Sequence, residues 1–183
     1  MTMAMSNVVA VVVCKDQRVQ RVVVLGPGGA GKSTLARELG ARTGLPVFHL
    51  DRFYWRPGWD PMPDDEWAAL QRDLFGGDAW IADGNYSRTL DTRLPRVDTI
   101  ILMDVAPWRT VPRILWRTTR NRGHAIQADG CPERYDWEFV RWVATYRRRS
   151  RPRVMAKIQE LAPAATLHVL RNPRAVRAFL ASH

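Results

Sequence analysis

Short apolar runs, each closed by glycine or aspartate, alternate along this chain with stretches whose apolar residues recur every three or four positions. Val22, Val23, Val24 and Leu25 stand together before Gly26. An unbroken β-branched run of that length predicts a strand buried on both faces. The stretch 33–43 places Leu35, Ala36 and Leu39 at helical spacing and meets Gly44, a helix with its stop signal. A second strand is predicted over 46–50, ending at Asp51. A helix follows over 63–75, with Asp64, Asp65 and Glu66 in its first turn and Trp67, Leu70 and Leu74 on one face. Early carboxylates favour the positive end of a helix. Further strands are predicted over 80–82, ending at Asp83, over 99–105 and over 166–170, and further helices over 107–121, 136–149 and 173–182. Strands alternating with helices predict an α/β fold, a doubly wound parallel five-stranded sheet with helices on both faces.

The 183 residues suit one domain, read here over 20–183, because no repeat, linker or low-complexity tract divides them. A composition of 46% hydrophobic and 25% charged residues is that of a globular chain. No apolar run approaches the roughly 20 residues of a membrane span. The stretch 8–13 is apolar, yet no Lys or Arg precedes it and the valine before Cys14 makes a poor cleavage site, so residues 1–19 are read as an N-terminal extension containing a short strand. Two cysteines, Cys14 and Cys131, do not make a disulfide framework and are expected as reduced thiols in a cytoplasmic protein. His124 and Cys131 lack the repeated spacing of a zinc site. The net charge of +10 asks for an anionic partner, and nucleotide phosphates or nucleic acid would answer it equally.

Residues 26–33, Gly-Pro-Gly-Gly-Ala-Gly-Lys-Ser, match the phosphate-loop pattern G-x-x-x-x-G-K-[ST], with a predicted strand before them and a helix after. Glycines let successive N–H groups curl around phosphate oxygens, and the helix N-terminus adds its positive end. The expected nucleotide-binding set is Gly26, Gly28, Gly29, Ala30, Gly31, Lys32, Ser33 and the adjoining Thr34. Lys32 is expected on the β- and γ-phosphates and Ser33 on Mg²⁺.

Phosphate-loop proteins either activate water or position an acceptor. The base-reading motif N-K-x-D of GTPases is missing, and the apolar strand ending Leu102-Met103-Asp104-Val105 lacks the Glu that many ATPases place beside the magnesium Asp. Both points favour transfer to a bound acceptor. Asp51, Asp83 and Asp104 fall at predicted strand C-termini, the edge where open α/β sheets bind ligands. There an Asp can serve magnesium, with Asp104 the metal candidate beside Ser33, or accept a proton. Arg113, Arg117 and Arg120 lie at i, i+4 and i+7 on one helix face, where they can neutralise a transferring phosphoryl group. Arg147, Arg148, Arg149, Arg151 and Arg153 read as surface charge.

The segments GPGGAGKSTLA, LPVFHLDRFYWRPGW, WIADGNYS, DTIILMD and CPERYDWEFVRWV together resemble the adenylate-kinase-related P-loop family of DNA topology modulation proteins, over about residues 20–180. That resemblance implies ATP as the nucleotide, a nucleoside-monophosphate-kinase type of fold, an acceptor-side segment over about 51–75 and a short lid over about 117–135. In such kinases a D-G-F-P-R turn follows the third strand. Asp83 and Gly84 carry over, while Asn85-Tyr86 replaces Phe-Pro and Arg88 is displaced by one residue. Arg117 or Arg120 is implied to touch ATP, and Arg171-Asn172-Pro173 resembles the loop framing adenine, with Asn172 as the contact. Leu50-Asp51-Arg52-Phe53-Tyr54 is similar to the L-D-x-F-Y segment of uridine-kinase-like proteins, which implies Asp51 as catalytic base and Tyr54 and Trp55 beside the acceptor. The expectation is thus a kinase using ATP and Mg²⁺ on a small-molecule acceptor. Two rivals are an ATP-binding regulator that binds DNA without turnover and an enzyme phosphorylating nucleic-acid ends, although no helix-turn-helix or other base-reading motif is present.

Overall fold

The computed structural model describes residues 19–183. The expected extension over 1–19, with the apolar stretch 8–13 and Cys14, lies outside the described residues apart from Val19. From β1 (Arg21–Leu25) the chain passes through the phosphate loop into α1 (Lys32–Thr43), then β2 (Val47–His49) and a single turn, α2 (Asp51–Tyr54). A small antiparallel hairpin of β3 (Trp55–Arg56) and β4 (Asp60–Pro61) precedes α3 (Asp64–Leu74) and β5 (Trp80–Asp83). One turn of helix, α4 (Leu90–Arg93), leads to β6 (Thr99–Met103) and α5 (Pro107–Arg120). The long α6 (Trp137–Leu161), β7 (Thr166–Leu170) and α7 (Pro173–Ala181) complete the fold.

The five main strands form one parallel sheet in the order β2-β5-β1-β6-β7, with β1 at its centre. Val24 sits opposite Asp83 on one side and Ile101 on the other, so the phosphate loop leaves the sheet between the ends of β5 and β6. Alternation of side chains divides each strand between two cores. Val23, Leu25, Trp80, Ala82, Ile100 and Leu102 meet Trp67, Leu90, Val154 and Ile158 of α3, α4 and α6. Val22, Val24, Ile81, Ile101 and Met103 meet Leu35, Ala36 and Leu39 of α1 and Phe179 and Leu180 of α7. The doubly wound α/β architecture expected from the alternation is the one observed.

Three local departures have physical causes. The second strand stops at His49, and Leu50 turns into α2 with its N–H on the carbonyl of Asp83, so Asp51 opens a helical turn instead of ending a strand. The β3–β4 hairpin went unpredicted because its strands are two residues each. Helix α6 runs a dozen residues past the predicted end at 149, carrying Pro152 in its interior. Burial of Val154 and Ile158 on the sheet outweighs the lost hydrogen bond.

Replacing a fully buried strand residue should therefore be costly. Leu102→Ala is expected to lose about 2–5 kcal/mol of unfolding free energy in urea titration. Trp108→Ala, at a side chain 70% exposed, should stay within about 0.5 kcal/mol of wild type.

Candidate active site

Gly31 precedes α1 in a left-handed conformation, and the first turn of α1 has no side-chain cap and no acidic residue. Its leading N–H groups and positive end are left for an anion. Gly26 begins the loop with φ 142°, and a Cβ there would come within 2.6 Å of the Met103 carbonyl oxygen, so only glycine lets the loop leave β1 pressed against β6.

The loop is tied to the neighbouring strand by one side chain. Asn85 Oδ1 accepts the Gly26 N–H at 2.9 Å, and Asn85 Nδ2 donates to the Gly26 carbonyl at 2.6 Å. Below this turn lies Arg93, wholly buried and, among the described residues, in no ion pair with a carboxylate. It donates to the carbonyls of Gly84 and Asn85 and to Gln71 Oε1 at 2.6 Å. Burial pulls its pKa below the ordinary arginine value, and these carbonyl bonds compensate the buried charge. Tyr86, next in the turn, is held at φ 37°, unusual for an aromatic residue. Its carbonyl is fixed by the Thr89 N–H at 3.1 Å. So constrained, Tyr86 donates its hydroxyl to Asp51 Oδ1 at 2.5 Å. Burial and the Asp51 carboxylate push the phenol's pKa far up, so it remains a donor.

Asp83 ends β5 with its side chain 5% exposed. Burial works to raise its pKa, but the His49 hydrogen bond, the Lys32 charge and the Ser33 hydroxyl together hold it below the usual carboxylate value. An ionised Asp83 can only accept, so His49 Nδ1 carries the proton of their 2.8 Å contact. The other oxygen, Oδ1, is buried with no hydrogen-bond partner among the described residues. An orphaned carboxylate oxygen beside Ser33 fits a hydrated cation. Among the described residues no cluster of three or more His, Cys, Asp or Glu could hold a metal alone.

Asp104, at the same edge beyond β6, has a different environment. Its buried carboxylate receives Arg147 at 2.8 and 3.2 Å and faces Arg151 at 3.4 Å and Arg171 at 3.5 Å. The arginine tract read as surface charge thus supplies two members of a clamp, because the unbroken α6 carries Arg147 and Arg151 past the strand end.

A cavity of about 640 Å³ opens between the phosphate loop and the turn after β5, with Asp83 and Asp104 buried outside its lining. Gly28, Gly29, Gly31, Lys32, Ser33 and Thr34 form one wall, with Gly26 and Ala30 buried behind it. Asp51, Trp55 and Gly84 face them, and Arg113 and Arg117 descend from α5. Arg113 donates to the Gly29 carbonyl at 3.5 Å, and Arg117 lies 3.4 Å from the buried Glu133. Other expected residues stand apart from the cavity. Tyr54 packs behind it against Trp55, Trp67 and Tyr86. Arg120 lies over the exposed Trp116, Arg88 pairs with Asp64 on the surface, and Asn172 caps α7 through the Ala175 N–H.

Sequence reading missed Asn85, Tyr86, His49 and Glu133. The first two stood inside the recognised Asp83-Gly84 turn, and their departure from the family pattern was the available signal. Nothing local marks His49 or Glu133. The roof of the cavity is the segment between α5 and α6, joined to the hairpin opposite: Gly58 N–H reaches the Gly130 carbonyl at 2.8 Å, and Trp59 Nε1 reaches the Pro132 carbonyl at 2.8 Å. The cavity is therefore spanned from both sides.

Sheet order, loop and flanking helices define a P-loop kinase fold of the nucleoside-monophosphate-kinase type. Among solved structures the chain is similar to shikimate kinase from Acinetobacter baumannii in complex with shikimate, at 16% identity and a TM-score of 0.55 over 89% of each chain. It is also similar to an unliganded sugar kinase from Janibacter sp. HTCC2649, at 17% identity and a TM-score of 0.53 over 89% of this chain and 93% of that one. No model of a protein family matches the chain, and no curated protein does.

The two aspartates should separate under acid and mutation. Asp83 has a lowered folded-state pKa, so its stabilising contribution is present above the unfolded value of about 4 and is lost as pH falls through the folded value. Urea unfolding from pH 7 to pH 3 should give a shallower acid loss for Asp83→Asn than for wild type. Asp104→Asn, which strands three arginines, should cost about 3 kcal/mol at pH 7.

Proposed function

We propose that this protein is a kinase that transfers the γ-phosphoryl group of ATP to a hydroxyl of a small-molecule acceptor, with magnesium. The observation that carries the reading is the opposition, across one cavity, of an uncapped helix N-terminus with its phosphate loop and a carboxylate, Asp51, oriented by Tyr86. The resemblance to the adenylate-kinase-related topology modulation family supports it, as do the kinase folds of its structural neighbours.

Lys32, now on the Pro27 carbonyl at 3.1 Å, would move to the β- and γ-phosphates. Arg113 and Arg117 stand on the same wall to meet charge as it spreads over the equatorial oxygens. Ser33 and the unpartnered Oδ1 of Asp83 would hold magnesium or its water shell, a role assigned here to Asp83 because arginines occupy Asp104. When bound, magnesium would supply neutralisation of the phosphate charge. Tyr86 fills one oxygen of Asp51, and the other has no partner among the described residues. That oxygen accepts the acceptor's hydroxyl proton as the new O–P bond forms and the bond to ADP breaks. The roof contacts at Gly130 and Pro132 shield the site from water, which would otherwise consume ATP.

A second reading is favoured by one surface feature. Trp108 and Trp116 are exposed, each with an arginine over its ring, on a chain of net charge +10. Such a surface suits a nucleotide-controlled nucleic-acid binder.

ADP release from ATP·Mg²⁺ should rise with one member of a panel of hydroxylated metabolites, nucleosides and nucleotides. Asp51→Asn should lower that rate ~10²–10⁴-fold, and Lys32→Ala ~10²-fold or more. ATP binding without acceptor-dependent turnover, together with salt-sensitive binding to DNA, would transfer the conclusion to the second reading.

A further inference from the structure

The cations lining the cavity are Lys32, Arg113, Arg117 and Arg134. All stand on the phosphate loop, on α5 or on the segment returning to α6. The acceptor side, made by α2, the hairpin and the turn after β5, contributes Asp51, Trp55, Trp59, Gly84, Asn85 and Tyr86, without a positive charge among them. Arginines are plentiful in those same elements, but each with a recorded contact points elsewhere. Arg56 pairs with Glu66 at 2.6 Å, Arg88 pairs with Asp64 at 3.2 Å, and Arg93 is spent beneath the turn on backbone carbonyls. Arg52 is exposed and does not line the cavity. Arg117 of α5 already faces the buried carboxylate of Glu133, and Arg134 is the cation of the roof.

What the acceptor side offers instead is a carboxylate and aromatic faces. The rings of Trp55 and Trp59 meet edge to face at 5.5 Å, and Tyr86 closes the corner with its hydroxyl on Asp51. Indole faces bind the apolar face of a sugar ring or a base, while a carboxylate binds hydroxyl donors. A second phosphate or a carboxylate on the acceptor would meet the Asp51 carboxylate on this side, where none of the lining residues carries a positive charge; the cations that line the cavity belong to the phosphate loop, α5 and the roof. Like charges brought together in a partly desolvated site are strongly disfavoured.

We propose that the acceptor is uncharged, a polyhydroxylated ring such as a free sugar or a nucleoside, and that the site rejects monophosphates and carboxylates. This rests on the kinase reading, and extends it by naming the acceptor class.

The test is calorimetric titration of matched pairs into the protein saturated with Mg²⁺ and a non-hydrolysable ATP analogue. The pairs are nucleosides against their 5′-monophosphates and hexoses against the corresponding hexonates. An uncharged member should bind with its anionic partner ~100-fold weaker or worse. Trp55→Ala should abolish that binding and Trp55→Phe should restore most of it. Equal or tighter binding of an anionic member would overturn the proposal, as would failure of every uncharged sugar and nucleoside to bind. The two readings fail separately. An uncharged ligand that binds in the pocket but never yields ADP sinks the kinase reading and leaves the ligand class standing. A monophosphate or carboxylate that is bound and phosphorylated does the reverse.

Discussion

Everything at this site hangs on the two-bond clasp between the Asn85 side chain and the peptide of Gly26. A phosphate loop works only if its N–H groups are fixed before the anion arrives, since ordering them afterwards would cost binding energy. Asn85 supplies that fixation from the adjacent strand, and the strand's turn is in turn held from below by the buried Arg93. The same turn carries Tyr86 in its left-handed conformation and so aims the hydroxyl at Asp51. One backbone turn thereby sets the distance between the nucleotide wall and the acceptor wall, and a displacement on either side would be felt on the other.

Two aspartates at the ends of the strands that flank β1 show how environment assigns a role. Asp83 and Asp104 are both buried, the first opposite Val24 of β1 and the second just past β6 with its N–H on the Leu170 carbonyl. One is met by a histidine, a lysine and a hydroxyl and keeps an oxygen unpartnered. The other is surrounded by three guanidinium groups. A carboxylate saturated by arginines is a structural joint between β6, α6 and the start of α7. A carboxylate with an orphaned oxygen is poised for a cation. The joint also draws positive charge to the sheet edge without placing it in the cavity.

Charge elsewhere follows the same logic of location over composition. A net +10 suggests an affinity for anions, and the cavity honours it only on the walls carrying the phosphate loop, α5 and the segment returning to α6. Other arginines are consumed by surface carboxylates or backbone carbonyls, or stack on exposed indoles. Counting basic residues therefore overstates the positive charge available to an acceptor.

The sequence by itself determined the parallel sheet, the phosphate loop with Lys32 and Ser33, and the approximate span of the long helices other than α6, whose second half it missed. These follow from local rules: β-branched runs bury as strands, apolar residues at helical spacing seek a core, and glycines permit one loop geometry. Asp51 and Arg117 do line the cavity as the counted sheet edge and helix face led one to expect, although Asp51 opens α2 and does not end a strand. Only the tertiary structure decided that Arg120, Arg88 and Asn172 stand away from the cavity and that Tyr54 backs it. It alone brought His49 to Asp83 across 34 residues, Asn85 to Gly26 across 59 and Arg147 to Asp104 across 43. The reason is physical. Backbone periodicity is a local property, whereas the partner of a polar side chain is chosen by which strands and helices pack side by side, and that choice is made by the whole core at once.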